Sequence, residues 1–246
     1  MQSEKLASMG QIAAGIAHEL NNPLAVVLMY ARLMLEGSQR DPSLHEDAQM
    51  VAEQADRCKK IVAGLLHFAR QNKVVLQPTD LCKLANHVLA TLRIPENIQL
   101  EVVHQIADPI VELDGDQIVQ VLTNLLTNTI AAMPDGGTLT VKTSGNENTV
   151  AMTVVDTGIG IPKENMDKIF EPFFTTKQIG KGTGLGLAVT YGIVKMHCGD
   201  IKAQSNADPA AGPTGTTFAV TLPRKGRQDQ IEAIAPGVAA EKIGEQ

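Results

Sequence analysis

Hydrophobic residues recur in alternating steps of three and four in two stretches of the first 70 residues. This alternation is the a/d stripe of a heptad pattern and predicts two long helices. A breaker segment at 37–43, which contains Gly37 and Pro42, separates them and predicts a helical hairpin. The first stripe comprises Leu6, Met9, Ala13, Ile16 and Leu20, and the second comprises Leu44, Ala48, Val51, Ala55, Cys58, Val62, Leu65 and Ala69.

A hairpin with one apolar stripe on each helix buries little surface by itself. Pairing with a second copy of the hairpin is the simplest way to complete its core, because four such helices form a bundle. The pattern therefore predicts a homodimer in which residues 1–75 form the dimerisation domain.

The chain changes to shorter, mixed elements after this hairpin, which predicts a second domain. Its fold class is predicted as α+β, an antiparallel-leaning sheet with helices on one face, so the whole chain is multidomain α and α+β. The predicted domains are the hairpin at 1–75, a linker at 76–79, the second domain at 80–223 and a mobile tail at 224–246. The predicted helices are 80–92, 117–133 and 185–198, and Thr79 or Asp80 can cap the first of them. The predicted strands are 98–106, 138–143, 149–155, 201–204 and 216–222.

The composition is that of a globular protein without a nucleic-acid or membrane signature. Of the 246 residues, 43% are hydrophobic and 20% are charged, and the formal net charge is −6. The negative charge argues against non-specific binding to nucleic acid, and no apolar run approaches the roughly 20 residues that span a bilayer. The three cysteines form no CxxC pair, which indicates neither a disulfide framework nor a zinc site. We therefore expect a cytoplasmic protein with no nucleic-acid partner and no membrane contact in this part of the chain.

The segment His18 to Pro23 contains a candidate nucleophile. The heptad register puts His18 at position f, which faces solvent, with Glu19 beside it in sequence and Asn22 on the same face. A neutral imidazole is a competent nucleophile near pH 7, and an adjacent carboxylate can accept its proton. The alternative is an ordinary solvated helix surface, but Pro23 bends a helix and so favours a shaped site.

Two glycine clusters are candidates for nucleotide binding. Asp156, Gly158 and Gly160 follow a predicted strand, where a carboxylate can bind an amino group and the glycines allow close approach. The alternative for this cluster is a simple turn. The second cluster, 180–186, precedes a predicted helix whose N-terminal N–H groups could bind phosphates.

The segment between the two glycine clusters, 170–177, holds three of the five phenylalanines of the chain. Aromatic anchors in a loop are typical of a hinged lid, and Lys177 at its end could reach a terminal phosphate. The alternative is a small satellite hydrophobic cluster.

Asn124 and Asn128 lie one helical turn apart in an otherwise apolar predicted helix. Their amides could form hydrogen bonds within the core. Alternatively, a carboxamide oxygen could bind Mg²⁺, which prefers oxygen ligands and bridges phosphates. Since no carboxylate accompanies them, the metal would have to arrive with the nucleotide.

Together these segments resemble the catalytic core of a bacterial sensor histidine kinase of the two-component type, over about residues 3–223. Five motifs occur in the order typical of that family. They are similar to its H box (residues 18–23), N box (124–133), G1 box (156–160), F box (170–177) and G2 box (182–187).

The resemblance implies a helical-hairpin dimerisation domain followed by an α/β sandwich ATP-binding domain of the gyrase, Hsp90 and histidine kinase type. It implies that His18 accepts the phosphoryl group, that Glu19 activates it, and that Asn22 positions the γ-phosphate and assists the reverse dephosphorylation. It further implies that Asp156 binds the adenine amino group and that Asn128 is the Mg²⁺ ligand. The other nucleotide-binding positions that it implies are Asn124, Gly158, Gly160, Lys177, Gly182, Thr183, Gly184, Leu185 and Gly186.

The implied activity is autophosphorylation with ATP and Mg²⁺, followed by transfer to an aspartate on the receiver domain of a response regulator. Related ATPases place a glutamate where this chain has Asn124, so attack by water should be slow. Thr129 departs from the Asn-Ala usual in the N box and is expected to be tolerated because it is small. The family also implies an input domain before the hairpin, which could include a membrane-bound sensor. A non-catalytic scaffold and a gyrase-type ATPase are the alternatives.

Overall fold

The structure is a computed structural model that describes residues 23–38, 41–70, 74–177 and 183–225. The first hydrophobic stripe therefore lies outside the described residues, as do His18, Glu19, Asn22 and Gly182. Nearly all of the predicted tail, residues 226–246, also lies outside them.

Two helices form the first part of the described chain, as the heptad pattern predicts. Helix α1 covers residues 23–37 and helix α2 covers Pro42–Arg70. Asp41 caps α2, because its Oδ1 accepts hydrogen bonds from the backbone N–H of Ser43 at 3.1 Å and of Leu44 at 3.3 Å. The predicted breaker at 37–43 is thus confirmed as the connection between the two helices.

Among the hairpin residues whose side chains are described, the buried apolar ones are small or scattered. Ala48 and Ala55 of the predicted second stripe are buried, whereas Leu44 and Val51 of the same stripe are exposed. Seven further large apolar side chains of the hairpin are also exposed in the single chain. They are Val26, Val27, Met29, Tyr30, Leu33, Met34 and Met50.

The described residues of the second domain form two sheets and four α-helices. A five-stranded sheet has the order β2-β4-β5-β7-β6, and a separate pair joins β1 to β3. Only β2 and β4 are parallel, so the predicted antiparallel-leaning sheet is confirmed. The strands are β1 (Gln77–Asp80), β2 (Ile98–Gln105), β3 (Ile110–Leu113), β4 (Gly137–Gly145), β5 (Thr149–Asp156), β6 (Asp200–Asn206) and β7 (Gly215–Pro223), and the helices are α3 (Leu81–Thr91), α4 (Gly115–Ala131), α5 (Lys163–Met166) and α6 (Gly186–Met196).

One hydrophobic cluster joins the buried sides of α3, α4 and α6 to the sheet. The alternation of buried and half-buried side chains along β5 has the period of two expected for a strand with one face on the core. Fully buried members include Leu81, Ile118, Leu125, Met152, Val154, Ile193 and Val220. This core fixes α4 and α6 against each other and against the strand that ends at Asp156.

Some element limits differ from the prediction. Helix α4 begins at Gly115, two residues before the predicted start, because Asp114 is its cap and accepts a hydrogen bond from Gln117 N at 3.1 Å. Most of the predicted linker at 76–79 lies in β1, which pairs with β3. At the other end, the backbone of Arg224 is hydrogen-bonded to Asn148 and Glu112, so this first residue of the predicted tail is held by the domain.

In the described segments, no helix is long and apolar enough to cross a membrane. All three cysteines are free.

Candidate functional site

Helix α4 positions Asn124 and Asn128 against the first turn of α6. The Asn124 Nδ2 donates to the carbonyl oxygen of Gly186 at 3.1 Å and to Thr190 Oγ1 at 3.4 Å. A Cβ added at Gly186 would lie 3.9 Å from Asn128 Nδ2. Asn124 therefore connects α4 to α6, while the glycine leaves the neighbouring Asn128 amide uncovered.

Lys177 faces the second of these amides. Its Nζ donates to Asn128 Oδ1 at 3.3 Å. The Lys177 side chain is exposed, but partial desolvation lowers the pKa of its ammonium group from the usual value. The carboxamide oxygen of Asn128 thus already faces a cation.

The phenylalanine-rich segment is tied to the start of α6. Phe173 N donates to the carbonyl oxygen of Gly184 at 3.0 Å. Phe173 and Gly184 both have φ of 67°, and a Cβ on Gly184 would overlap the Phe173 backbone, so only glycine fits there. Phe170 and Phe174 pack against the core, as predicted for anchors, whereas Phe173 is exposed.

No side chain of the described residues caps the N-terminus of α6. Leu185 occupies the cap position, and its own N–H is bonded to Thr183 Oγ1 at 3.4 Å. Uncapped N–H groups at the positive end of a helix are a favourable site for an anion. This end of α6 lies beside Asn128, so an anion and a cation could be held there together.

Asp156 ends β5 and is buried, with 4% of its surface exposed. Its Oδ1 accepts hydrogen bonds from Gly158 N at 3.0 Å and Thr216 N at 3.1 Å. Burial raises the pKa of this carboxyl group above its usual value, while the hydrogen bonds oppose that shift. Both backbone donors lie on Oδ1, so Oδ2 of this oriented carboxylate is left for a ligand that can donate.

The turn after Asp156 packs on the C-terminal end of α4. Ile159 N donates to the carbonyl oxygen of Ala132 at 3.0 Å, and a Cβ on Gly158 would overlap that same oxygen. Gly160 has φ of 71° and lies against the backbone of Asn206. Both glycines therefore allow close backbone packing, and the contact at Gly158 brings Asp156 to the helix that carries Asn128.

Metal binding at this site would depend on few protein groups. No group of three or more His, Cys, Asp or Glu side chains that could hold a metal ion occurs among the residues that the structure describes. Asn128 Oδ1 is a hard oxygen donor and already accepts from an ammonium group, so it fits Mg²⁺ as a single ligand. The remaining ligands would be phosphate oxygens and water.

The structure brings most of the predicted nucleotide-binding residues into one region around α4. Thr216, which the sequence analysis missed, is the second backbone donor to Asp156. Its position at the start of a strand 60 residues from Asp156 gives no sequence signal. The predicted residues in this region are Asn124, Asn128, Asp156, Gly158, Gly160, Lys177, Thr183, Gly184, Leu185 and Gly186.

Two family models match the chain. The family described as histidine kinase-, DNA gyrase B-, and HSP90-like ATPase matches residues 113–226, and the His Kinase A (phospho-acceptor) domain matches residues 8–73. Together they cover both parts of the fold described above.

Curated relatives support the same family. The sensor histidine kinase ZraS of Escherichia coli (strain K12) is 37% identical over 225 residues, which are 90% of this chain and 47% of ZraS. The sensor kinase CckA of Brucella abortus (strain 2308) is 36% identical over 259 residues, which are 98% of this chain and 27% of CckA. The chain therefore spans about half of ZraS and about a quarter of CckA.

Solved structures have the same fold. Full-length ShkA in complex with AMPPNP superimposes with a TM-score of 0.69 at 25% identity, covering 85% of this chain and 45% of ShkA. The histidine kinase ThkA in complex with the response regulator protein TrrA has a TM-score of 0.65 at 26% identity, covering 92% of this chain and 64% of ThkA. The predicted resemblance and fold class are thus confirmed, and the chain belongs to the bacterial sensor histidine kinases, whose catalytic core it contains.

Proposed function

We propose that this chain binds ATP with Mg²⁺, phosphorylates its own His18, and passes the phosphoryl group to an aspartate of a response regulator receiver domain. The observation that carries the proposal is the arrangement along α4. A buried carboxylate with one open oxygen lies at its C-terminal end, and an amide, an ammonium group and an uncapped helix N-terminus lie one turn away.

The adenine base would bind at Asp156. Its Oδ2 is open to accept a hydrogen bond from a 6-amino group, while the two N–H groups on Oδ1 fix the carboxylate plane. A 6-oxo purine would place an oxygen, which cannot donate a hydrogen bond, against this carboxylate. The site therefore disfavours guanine. AMPPNP in the similar ShkA structure supports an adenine nucleotide as the ligand.

The phosphates would lie between Asn128, Lys177 and the first turn of α6. Lys177 would leave Asn128 Oδ1 and donate to a phosphate oxygen, and the N–H groups of α6 would donate to others. Mg²⁺ bound at Asn128 would neutralise charge on the phosphate oxygens. Asn124 would keep α6 in place, since its amide already donates to Gly186 and Thr190.

The phosphoryl transfer itself would occur at His18, outside the described residues. An imidazole nitrogen of His18 forms a bond to the γ-phosphorus as the bond from that phosphorus to the bridging oxygen breaks, and ADP leaves. Glu19 accepts the ring proton. In the second step a carboxylate oxygen of the receiver aspartate forms a bond to phosphorus as the nitrogen–phosphorus bond breaks. Asn22 would assist the reverse activity, in which the response regulator is dephosphorylated.

A homodimer would complete the hairpin. The exposed apolar side chains of α1 and α2, such as Tyr30, Leu33 and Val51, would be buried in a four-helix bundle. The ThkA complex with TrrA supports a response regulator as the second partner. We further propose a cytoplasmic location, because ATP and receiver domains are found in that compartment.

The test is incubation of the full chain with γ-labelled ATP and Mg²⁺. We expect label on the protein that is stable in base and lost in acid, as a phosphoramidate is. The label should be absent from His18→Ala and present in the matched control His87→Ala, since His87 is an exposed residue of α3. Nucleotide binding without label would favour a scaffold, and steady release of phosphate without labelled protein would favour an ATPase.

A further inference from the structure

Thr129 carries a buried hydroxyl group with no partner. The residue directly follows Asn128 on α4, and 1% of its surface is exposed. Its Oγ1 makes no hydrogen bond within the parts of the chain that the structure describes. Buried polar atoms are nearly always paired, so an unpaired one indicates a missing partner.

Neighbouring threonines of the same helix behave differently. Thr123 Oγ1 donates to the carbonyl oxygen of Val119 at 2.8 Å, and Thr127 Oγ1 donates to that of Thr123 at 2.8 Å. A threonine in a helix commonly satisfies its hydroxyl in this way. Thr129 does not, and its hydroxyl is therefore available to another group.

The group that Thr129 faces is Asp156. The Thr129 hydroxyl favours the ionised carboxylate and so opposes the rise that burial causes in the pKa of Asp156, although the two side chains form no hydrogen bond of normal geometry. Both backbone N–H groups that bind Asp156 lie on Oδ1. The Thr129 hydroxyl thus lies close to the Asp156 carboxylate, at the buried end of the site.

We propose that Thr129 is a specificity-determining residue for the base, whose hydroxyl oxygen accepts a hydrogen bond from the 6-amino group of a 6-aminopurine beside Asp156. This inference rests on the proposed adenine site. A hydroxyl without a hydrogen bond of normal geometry in the free protein gains one when the ligand binds. Thr129 therefore contributes more to affinity for the base than to the stability of the free protein.

The experiment compares Thr129→Val with Thr129→Ser in the full chain. Valine keeps the shape and removes the hydroxyl, and serine keeps the hydroxyl. Calorimetric titration with ADP in the absence of Mg²⁺ isolates the base from the proposed Mg²⁺ site. We expect ADP affinity to fall about fivefold in Thr129→Val, as for the loss of one neutral hydrogen bond, and to stay within twofold in Thr129→Ser.

A second ligand distinguishes hydrogen bonding from packing. The diphosphate of the unsubstituted purine riboside lacks the amino group, so Thr129→Val should lower its affinity by less than twofold. The unfolding temperature of free Thr129→Val should stay close to that of the wild type, because valine keeps the buried volume and the hydroxyl forms no hydrogen bond of normal geometry in the free protein. Thr127→Val, on the same helix, should leave both affinities unchanged.

Equal losses for the two nucleotides, or undiminished ADP affinity in Thr129→Val, would overturn the role of Thr129 while leaving the proposed function intact. Failure of the wild-type chain to bind ADP would instead overturn the adenine site, and this inference with it.

Discussion

The two ends of the candidate site differ in how firmly they are held. At the base end, Asp156 is buried and its Oδ1 accepts two backbone hydrogen bonds. At the phosphate end, Asn128 is half-buried and its Oδ1 has a single 3.3 Å contact with the exposed Lys177. Backbone groups thus fix the base end before any ligand arrives. At the phosphate end, one weak side-chain contact must be exchanged for others. Recognition and rearrangement are therefore assigned to different ends of one helix, α4.

The largest expected effect comes from Asp156→Asn at the base end. The amide oxygen can still accept from Gly158 and Thr216, but an NH₂ group replaces Oδ2 and opposes the adenine amino group. Since a hydrogen bond to a charged acceptor is worth about 1.5–3 kcal/mol, we expect ATP affinity to fall about 100-fold by calorimetry. The free variant should unfold at the same or a higher temperature, because a buried charge is removed. Undiminished ATP affinity would contradict the assignment of Asp156.

The next effect separates the two asparagines. Mg²⁺ should raise the ATP affinity of the wild type, and Asn128→Ala should abolish this increase. We therefore expect ATP affinity in the presence of Mg²⁺ to fall about tenfold in Asn128→Ala, while ADP binding without metal changes little. Asn124→Ala should keep this Mg²⁺ effect and instead unfold about 5 °C lower, since it loses the hydrogen bonds to Gly186 and Thr190. Titrations with and without Mg²⁺ measure the metal effect in each variant, and thermal unfolding measures the stability of each. An Mg²⁺ effect that survives in Asn128→Ala would reject it as the ligand.

A smaller effect is expected at the exposed cation. Lys177→Gln should weaken ATP binding about threefold to fivefold and leave adenosine binding unchanged, because only ATP has phosphates for the ammonium group. The difference should shrink at high salt, which screens exposed charges. Equal weakening of adenosine would mean that Lys177 acts on the whole site rather than on its phosphate end.

The smallest effect is the pH dependence of the base end. Because burial raises the pKa of Asp156, its carboxyl should begin to take up a proton at a higher pH than an ordinary one. A protonated Oδ2 no longer accepts, so adenosine affinity should fall as the pH falls through that raised pKa. Stability moves the opposite way: the folded state binds the proton more tightly than the unfolded state, so this group's contribution rises over the same window.

Asp156→Asn is the control for this measurement, since it has no proton to take up. Titrations with adenosine avoid ionisation of the phosphates, and the difference in unfolding temperature between wild type and variant isolates Asp156. A wild-type adenosine affinity that stays constant down to the usual pKa of an aspartate would contradict the raised value.

Local pattern predicted most of the fold. Strands β4 and β5 were predicted because β-branched residues alternate on both sides of a turn, and α3 because Thr79 or Asp80 could cap it. The structure shows that Asp80 is the cap. Strands β1 and β3 were not predicted, because β1 contains Pro78 and Asp80 and forms by pairing with residues 30 to 36 positions away. Such long-range pairing leaves no periodicity to read.

The sequence by itself determined the helical hairpin, the strand periodicity and the motifs that indicate nucleotide chemistry, because each depends on residues close in the chain. Asn124 and Asn128 share one helix face by spacing alone, so spacing cannot distinguish their roles. Only tertiary structure decided that Asn124 ties α4 to α6 and that Asn128 faces a cation, since the position of α6 depends on the packed core. It likewise brought Thr216 and Thr129 to Asp156, because strand register and helix docking join residues distant in sequence.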